Sequence, residues 1–161
     1  MSGHPGHLAH LAHMAGMGLL VSVVAPLLAV ALRPAGVLDR VAPPAVLALP
    51  GFAVLHAAVT VGTHGLPPLS AASTAAHLLM LAGAVLFWWP VFGGRRLSEP
   101  RQVLYLFTAA PVLDLAGVWV VARGDGAGGL AMIVGMLPLA LVAMGVTWRW
   151  IVREEEQAAA L

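Results

Sequence analysis

The chain alternates long apolar runs with short polar breaks. The apolar runs cover about 8–32, 45–62, 71–92, 102–122 and 127–152, and the breaks between them hold Pro, Gly and charged residues. Because an α-helix rises about 1.5 Å per residue, roughly 20 apolar residues cross the roughly 30 Å hydrocarbon core of a bilayer. Each run is about that length or longer. The pattern therefore predicts an all-α fold: an integral membrane five-helix bundle that forms one transmembrane domain over residues 1–161.

Composition narrows the class further. With 60% hydrophobic and only 9% charged residues, the chain is too apolar for a water-soluble domain, so membrane lipid is its predicted surrounding. It has no cysteine, which leaves His, Met and carboxylate as metal ligands. A net charge of +1 without a long basic run predicts no nucleic-acid partner. No nucleophile elbow, zincin, P-loop or dinucleotide motif is present, so we do not expect an enzyme.

The arginines predict the orientation. Seven of the eight fall in breaks or ends that share one side of the predicted bundle, and only Arg123 falls on the other. The seven are Arg33, Arg40, Arg95, Arg96, Arg101, Arg149 and Arg153. The positive-inside rule then places the N-terminus outside and the C-terminus in the cytoplasm. Trp88, Trp89, Trp148 and Trp150 lie near the proposed inner interface, where we expect them to form an aromatic belt.

All seven histidines fall on the opposite, outer side. They are His4, His7, His10, His13, His56, His64 and His77. At the rise of a helix, His13, His56 and His77 each lie roughly 8–9 Å in from the outer ends of their helices, and Met132 is about as deep. His10, His13, Met14 and Met17 have the i, i+3, i+4, i+7 spacing that shares one helix face.

The convergence of these side chains predicts a metal site in the outer half of the bundle. Its proposed ligands are His10, His13, His56, His77, Met17 and Met132. Polar groups at such depth are costly unless they find partners in the protein interior. Two alternatives stay open: a single histidine near a helix end often bonds only to a carbonyl or water, and methionine often only fills apolar gaps. Asp114, a carboxylate in the middle of a helix, also needs a partner.

Several segments together resemble a known family. They are HMAGMGLLVSVVAPLL, FAVLHAAV, HLLMLAGAVLFWWPVFG, DGAGGLAMIVG and TWRWIVREEE, which extend from about residue 10 to the end. The chain resembles the CtaG-type cytochrome c oxidase assembly factors, in a compact form that lacks the N-terminal helices of that family. In the resemblance, His13, His56 and His77 match family histidines, and Met17 stands where a second histidine is expected.

The resemblance implies a function. It implies a multi-pass protein of the bacterial inner (cell) membrane that supplies copper to a haem-copper cytochrome c oxidase, with an oxidase subunit or a copper donor protein as partner. Two rival hypotheses remain. One is a non-catalytic accessory subunit of a respiratory complex. The other is a haem-binding membrane cytochrome that uses two of His13, His56 and His77 as axial ligands. Whether the chain forms a homo-oligomer stays open.

The arginine distribution generates a prediction about topology. Reporter fusions at Arg96 and at His64 should report opposite sides of the membrane, cytoplasmic for Arg96 and external for His64. Measuring alkaline phosphatase and fluorescent-protein activity of the two fusions checks this. If both fusions report the same side, or the reverse pattern, the proposed orientation is wrong and the histidine-rich end is not external.

Overall fold

A computed structural model describes residues 5–67 and 70–160, and within these residues the fold is helical without a strand. The first span consists of α1 (Pro5–Leu19), a π-helical turn (Leu20–Val24) and α2 (Ala25–Leu32). The other spans are α3 (Ala45–Thr63), α4 (Ala71–Phe92), α5 (Glu99–Ala122) and α6 (Gly126–Ala159). Short 3₁₀ turns at Arg33–Ala35 and Leu38–Arg40 lead from α2 toward α3. The predicted all-α class is confirmed.

The five spans are long and apolar enough to cross a membrane. Large apolar side chains are exposed on every one of them, and Leu27, Val54, Leu78, Leu104 and Leu137 are examples. In water such a surface would be costly, but lipid tails are themselves apolar and accept it. Length, composition and the exposed apolar surface therefore agree with a multi-pass membrane protein.

The predicted helix limits differ from the observed ones mainly at two ends. α5 begins at Glu99 instead of about residue 102, because Ser98 takes the N-cap position and Pro100 suits a first helical turn. α6 continues to Ala159 instead of ending at about 152. The glutamates and alanines of this tail are strong helix formers, and an ion pair of 2.8 Å between Arg153 and Glu99 ties it to α5.

The helices pack as a closed ring. α6 packs against α5 and α1, α4 packs against α2 and α3, and α3 packs against α5. Glycine allows the closest approach: a Cβ atom on Gly18 would lie 2.5 Å from the carbonyl oxygen of Met132, and one on Gly135 would lie 2.5 Å from that of Ala15. Small residues at helix contacts of this kind are typical of membrane bundles, where association depends on close packing.

The π-helical turn determines how the first span meets α4. In this turn the N–H of Ala25 donates to the carbonyl of Leu20, five residues earlier. In the same register the carbonyl of Val21 would need the N–H of residue 26, which is a proline and has none. The indole N–H of Trp88 donates to this carbonyl instead, at 2.7 Å. A backbone group that the helix leaves free is thus satisfied by a side chain of α4.

The aromatic belt predicted around Trp88 and Trp89 is wrong for these two residues. Both are buried, with Trp88 fully enclosed, and the indole of Trp89 donates to Asp39 Oδ1 at 2.8 Å. Tyr105 of α5 stacks on Phe87 and donates its hydroxyl to the carbonyl of Phe87 at 2.8 Å. The aromatic cluster is therefore the core of one end of the bundle, because its polar atoms find partners inside the protein.

We expect Trp88→Phe to destabilise the protein by about 1–3 kcal/mol, because the buried carbonyl of Val21 loses its donor. Chemical unfolding in detergent, followed by circular dichroism, measures the change. Trp148→Phe is the matched control: Trp148 is 68% exposed, so its replacement should change stability by less than about 0.5 kcal/mol. Equal losses in the two variants would show that the indole bond to Val21 does not stabilise the bundle.

Candidate metal site

Two adjoining clefts open at the end of the bundle where α1 begins. The first has a volume of about 350 Å³ and the second about 280 Å³. His13 and Met17 of α1 line both. The first cleft is also lined by His10, Met14, Thr60, Thr63 and His64, and the second by Gly16, Leu20, Thr74 and His77. The α1 face predicted from the spacing of His10, His13, Met14 and Met17 therefore does line one cleft.

The closest pair of imidazoles is formed by His13 on α1 and His77 on α4. Their ring centroids are 5.2 Å apart and the rings meet edge to face at 77°. The Nδ1 of His77 donates to the carbonyl of Ser73, one turn earlier, at 2.5 Å. In the neutral ring this leaves the lone pair on Nε2, which has no hydrogen-bond partner among the described residues. A histidine whose second nitrogen is held by a carbonyl is typical of metal ligands.

Met17 supplies a third donor beside this pair. It is buried, with 3% of its surface exposed, and it follows His13 by four residues on the same helix face. Within the described part of the chain, no three His, Asp or Glu side chains come together as a metal-binding group. The donors that line the second cleft are two imidazoles and a thioether. This mixed donor set favours a soft ion such as Cu(I) over hard cations.

His10 has a different partner. Its Nε2 donates to Asp125 Oδ2 at 2.7 Å, and the other carboxylate oxygen accepts the N–H of Gly128 at 2.9 Å, which caps α6. Burial alone would raise the pKa of Asp125, but the hydrogen bonds from His10 and Gly128 together hold that pKa below its usual value. Asp125 thus joins α1 to α6 and leaves the Nδ1 of His10 as its possible ligand atom.

His56 and Met132 line neither cleft. His56 is buried on α3, with 1% exposed, and its ring lies 5.8 Å from that of Phe52. Met132 is buried on α6, beside the crossing with α1 at Gly18. The structure therefore brings His10, His13, Met17 and His77 to the clefts and places these two predicted ligands elsewhere.

The remaining histidines are peripheral. His64 lies at the end of α3, lines the first cleft and meets Trp119 edge to face at 5.4 Å. His7 is exposed on the first turns of α1, and His4 lies outside the described residues.

Two positioning residues were missed by reasoning from the sequence. Ser73 and His77 are four residues apart on one helix, a spacing that brings the histidine ring over the preceding turn. Their contact could therefore have been predicted from the sequence. Asp125 stands directly before a glycine-rich helix start, which indicates an N-cap, but its contact with His10 spans 115 positions and depends on the packing of α1 against α6.

Comparisons of this chain with protein-family models, with curated proteins and with solved structures find no match. The resemblance to oxidase assembly factors therefore stays a prediction from the sequence.

The pair of His10 and Asp125 generates a prediction about pH. Asp125→Asn keeps an N-cap residue for α6 but removes the charge that His10 contacts, so the variant should be less stable at neutral pH. Because the folded-state pKa of Asp125 is lowered, the stability it contributes is present above the ordinary pKa of an aspartate and is lost as pH falls through the lowered value.

Thermal unfolding of both proteins in detergent across this pH range measures the effect. The difference between the wild type and Asp125→Asn should be present above the ordinary pKa of an aspartate and should vanish in strong acid. Asp39→Asn is a control at the opposite end of the bundle, without a histidine partner among the described residues. A difference between the wild type and Asp125→Asn that persists unchanged in strong acid would contradict the assignment.

Proposed function

We propose that this protein binds copper at its outer end and passes it to a haem-copper cytochrome c oxidase during assembly. The observation that supports this best is the contact of His13 with His77 beside the thioether of Met17. The proposed role is binding and delivery, without catalysis, in the bacterial inner membrane. The partner would be an oxidase subunit or a copper donor protein.

The donor set suits a transferred ion. Copper accepts imidazole in both oxidation states, and thioether favours Cu(I). Two imidazoles and one thioether leave a coordination position open, and an incoming ligand from a partner needs such a position. The carbonyl of Ser73 would orient His77 for the ion, as hydrogen-bond partners do for metal-binding histidines. Because His13 and Met17 border both clefts, the two clefts meet at the same pair of ligands.

The geometry disfavours the cytochrome hypothesis for this pair. A haem with two axial histidines has its macrocycle between them. His13 and His77 instead meet edge to face at 5.2 Å, which leaves no space for a macrocycle between the rings.

Asp114 favours the second candidate, an accessory subunit of a respiratory complex. It lies in the middle of α5 beside a small cavity of about 40 Å³, and its Oδ1 accepts no hydrogen bond from the described residues. A carboxylate inside a membrane needs a partner, and a polar side chain of another subunit would supply one. In this case the protein would copurify with the complex at a fixed ratio and without copper.

We expect His77→Ala to weaken Cu(I) binding by at least about 10–100-fold, because even the loss of a residue that only orients a metal ligand has an effect of that size. Competition with a chromophoric Cu(I) chelator measures the affinity of the purified protein. His7→Ala is the matched control, since His7 is exposed at the same end and lines neither cleft. Its Cu(I) affinity should equal that of the wild type.

An experiment in cells distinguishes the copper-delivery role from the accessory-subunit role. If delivery is the function, cells that carry only His77→Ala should assemble the oxidase poorly at low copper, with partial rescue by added copper. Normal oxidase activity at low copper, with the variant present at wild-type levels, would overturn the delivery role. Copurification with the oxidase at a fixed ratio would then support the accessory subunit.

A further inference from the structure

A third cleft, of about 380 Å³, lies at the end of the bundle opposite the histidines. Its walls come from four parts of the chain: the end of α2, the end of α4 with the following loop, the first turn of α5 and the last turns of α6. The 34 residues of α6 extend about 51 Å at the rise of an α-helix, so its last turns reach beyond a hydrocarbon core of roughly 30 Å. We therefore expect this cleft at the depth of the lipid headgroups.

The cleft is strongly basic. Four arginines line it: Arg33, Arg96, Arg149 and Arg153. Glu99 and Glu154 also line the cleft, so its lining has a formal charge of +2. Glu99 is paired with Arg153 at 2.8 Å, and Glu154 accepts a hydrogen bond from Trp150. In the described part of the chain, none of the other three arginines has a carboxylate within ion-pair distance.

Three arginines that line one cleft from different elements favour a phosphate group. Arginine presents a planar fork of N–H donors that matches phosphate oxygens in pairs. The same cleft is also lined by apolar side chains, among them Val30, Phe92 and Trp150. A free anion would contact only the arginines, whereas a phospholipid would use both kinds of side chain, with its phosphate on the arginines and its chains against the apolar residues.

We propose that this cleft binds the headgroup phosphate of an anionic phospholipid. Basic pockets between membrane helices are a recognised way to bind such headgroups. The bound lipid would join α2, the loop after α4 and α6 at one point, and would place one negative charge among the three unpaired arginines. This inference does not depend on the copper proposal, since the two sites lie at opposite ends of the bundle.

The test uses the purified full chain in a neutral detergent, with native mass spectrometry to count bound lipids and thermal unfolding to measure stabilisation. Phosphatidylglycerol is the probe, phosphatidylcholine is the zwitterionic comparison, and inorganic phosphate is the free anion. We expect phosphatidylglycerol to bind and to raise the unfolding temperature, and the other two to have little effect. Equal binding of phosphatidylcholine, or full competition by inorganic phosphate, would overturn the proposal.

Two triple variants test whether the arginines of the cleft bind the lipid. The triple variant Arg33→Gln, Arg96→Gln, Arg149→Gln should weaken phosphatidylglycerol binding about tenfold or more, because charge-assisted hydrogen bonds to the phosphate are lost. The matched control is Arg40→Gln, Arg95→Gln, Arg101→Gln, which removes the same charge at the same end but outside the cleft. The control should bind within about twofold of the wild type, because its arginines do not line the cleft.

Each outcome for these variants is decisive. Equal loss in both triple variants would show a diffuse electrostatic effect and would overturn the cleft assignment. If the cleft triple variant does not fold, Arg149→Gln alone is compared with Arg101→Gln alone, and a severalfold weaker binding of the first supports the proposal. Equal affinities of these two single variants would overturn it.

Discussion

The requirement that backbone polar groups be satisfied inside a membrane protein fixes the packing of the first span. Pro26 removes one donor, the π-helical turn shifts the register, and the freed carbonyl of Val21 accepts the indole N–H of Trp88. In the same turn, Ser22 donates its hydroxyl to the carbonyl of Gly135 at 2.6 Å. One turn of helix is thus joined to both α4 and α6. Neither bond can be exchanged for water in hydrocarbon, so the three helices have a defined register.

That register determines where His13 and His77 lie relative to each other. His13 lies eight residues before Val21, and His77 lies eleven residues before Trp88, which are distances of about 12 and 16 Å along two parallel helices. The rings accordingly meet in one layer. The same holds for α1 and α6, which cross at Gly18 and Gly135. His10 precedes Gly18 by eight residues and Asp125 precedes Gly135 by ten, and the side chains of His10 and Asp125 are in contact. Contacts near the middle of the membrane therefore decide which side chains can share a cleft at its surface.

The sequence predicted the number and class of the helices, because runs of about 20 apolar residues are typical of membrane-spanning helices. It also predicted that the face of α1 with His13 points into the bundle, because the polar residues of α1 lie on that face. It did not predict that Trp88 is buried, or that His56 and Met132 lie away from the clefts. Lipid and protein interior are both apolar, so the apolar pattern of a membrane helix does not reveal which face points inward. Long-range pairs such as His10 and Asp125 depend on that rotation.

The two ends of the bundle carry different side chains, and these side chains determine which kind of ion each end suits. The histidine end holds imidazoles and a thioether, whose lone pairs suit a soft cation. The opposite end holds guanidinium groups, which cannot lose their protons and therefore need an anion. Asp125 and Glu99 each pair with a basic side chain at their own end, so neither carboxylate neutralises the other end. Under the two proposals, a soft cation would bind at one surface and an anion at the other, and the orientation of the bundle in the membrane would determine the side on which each binds.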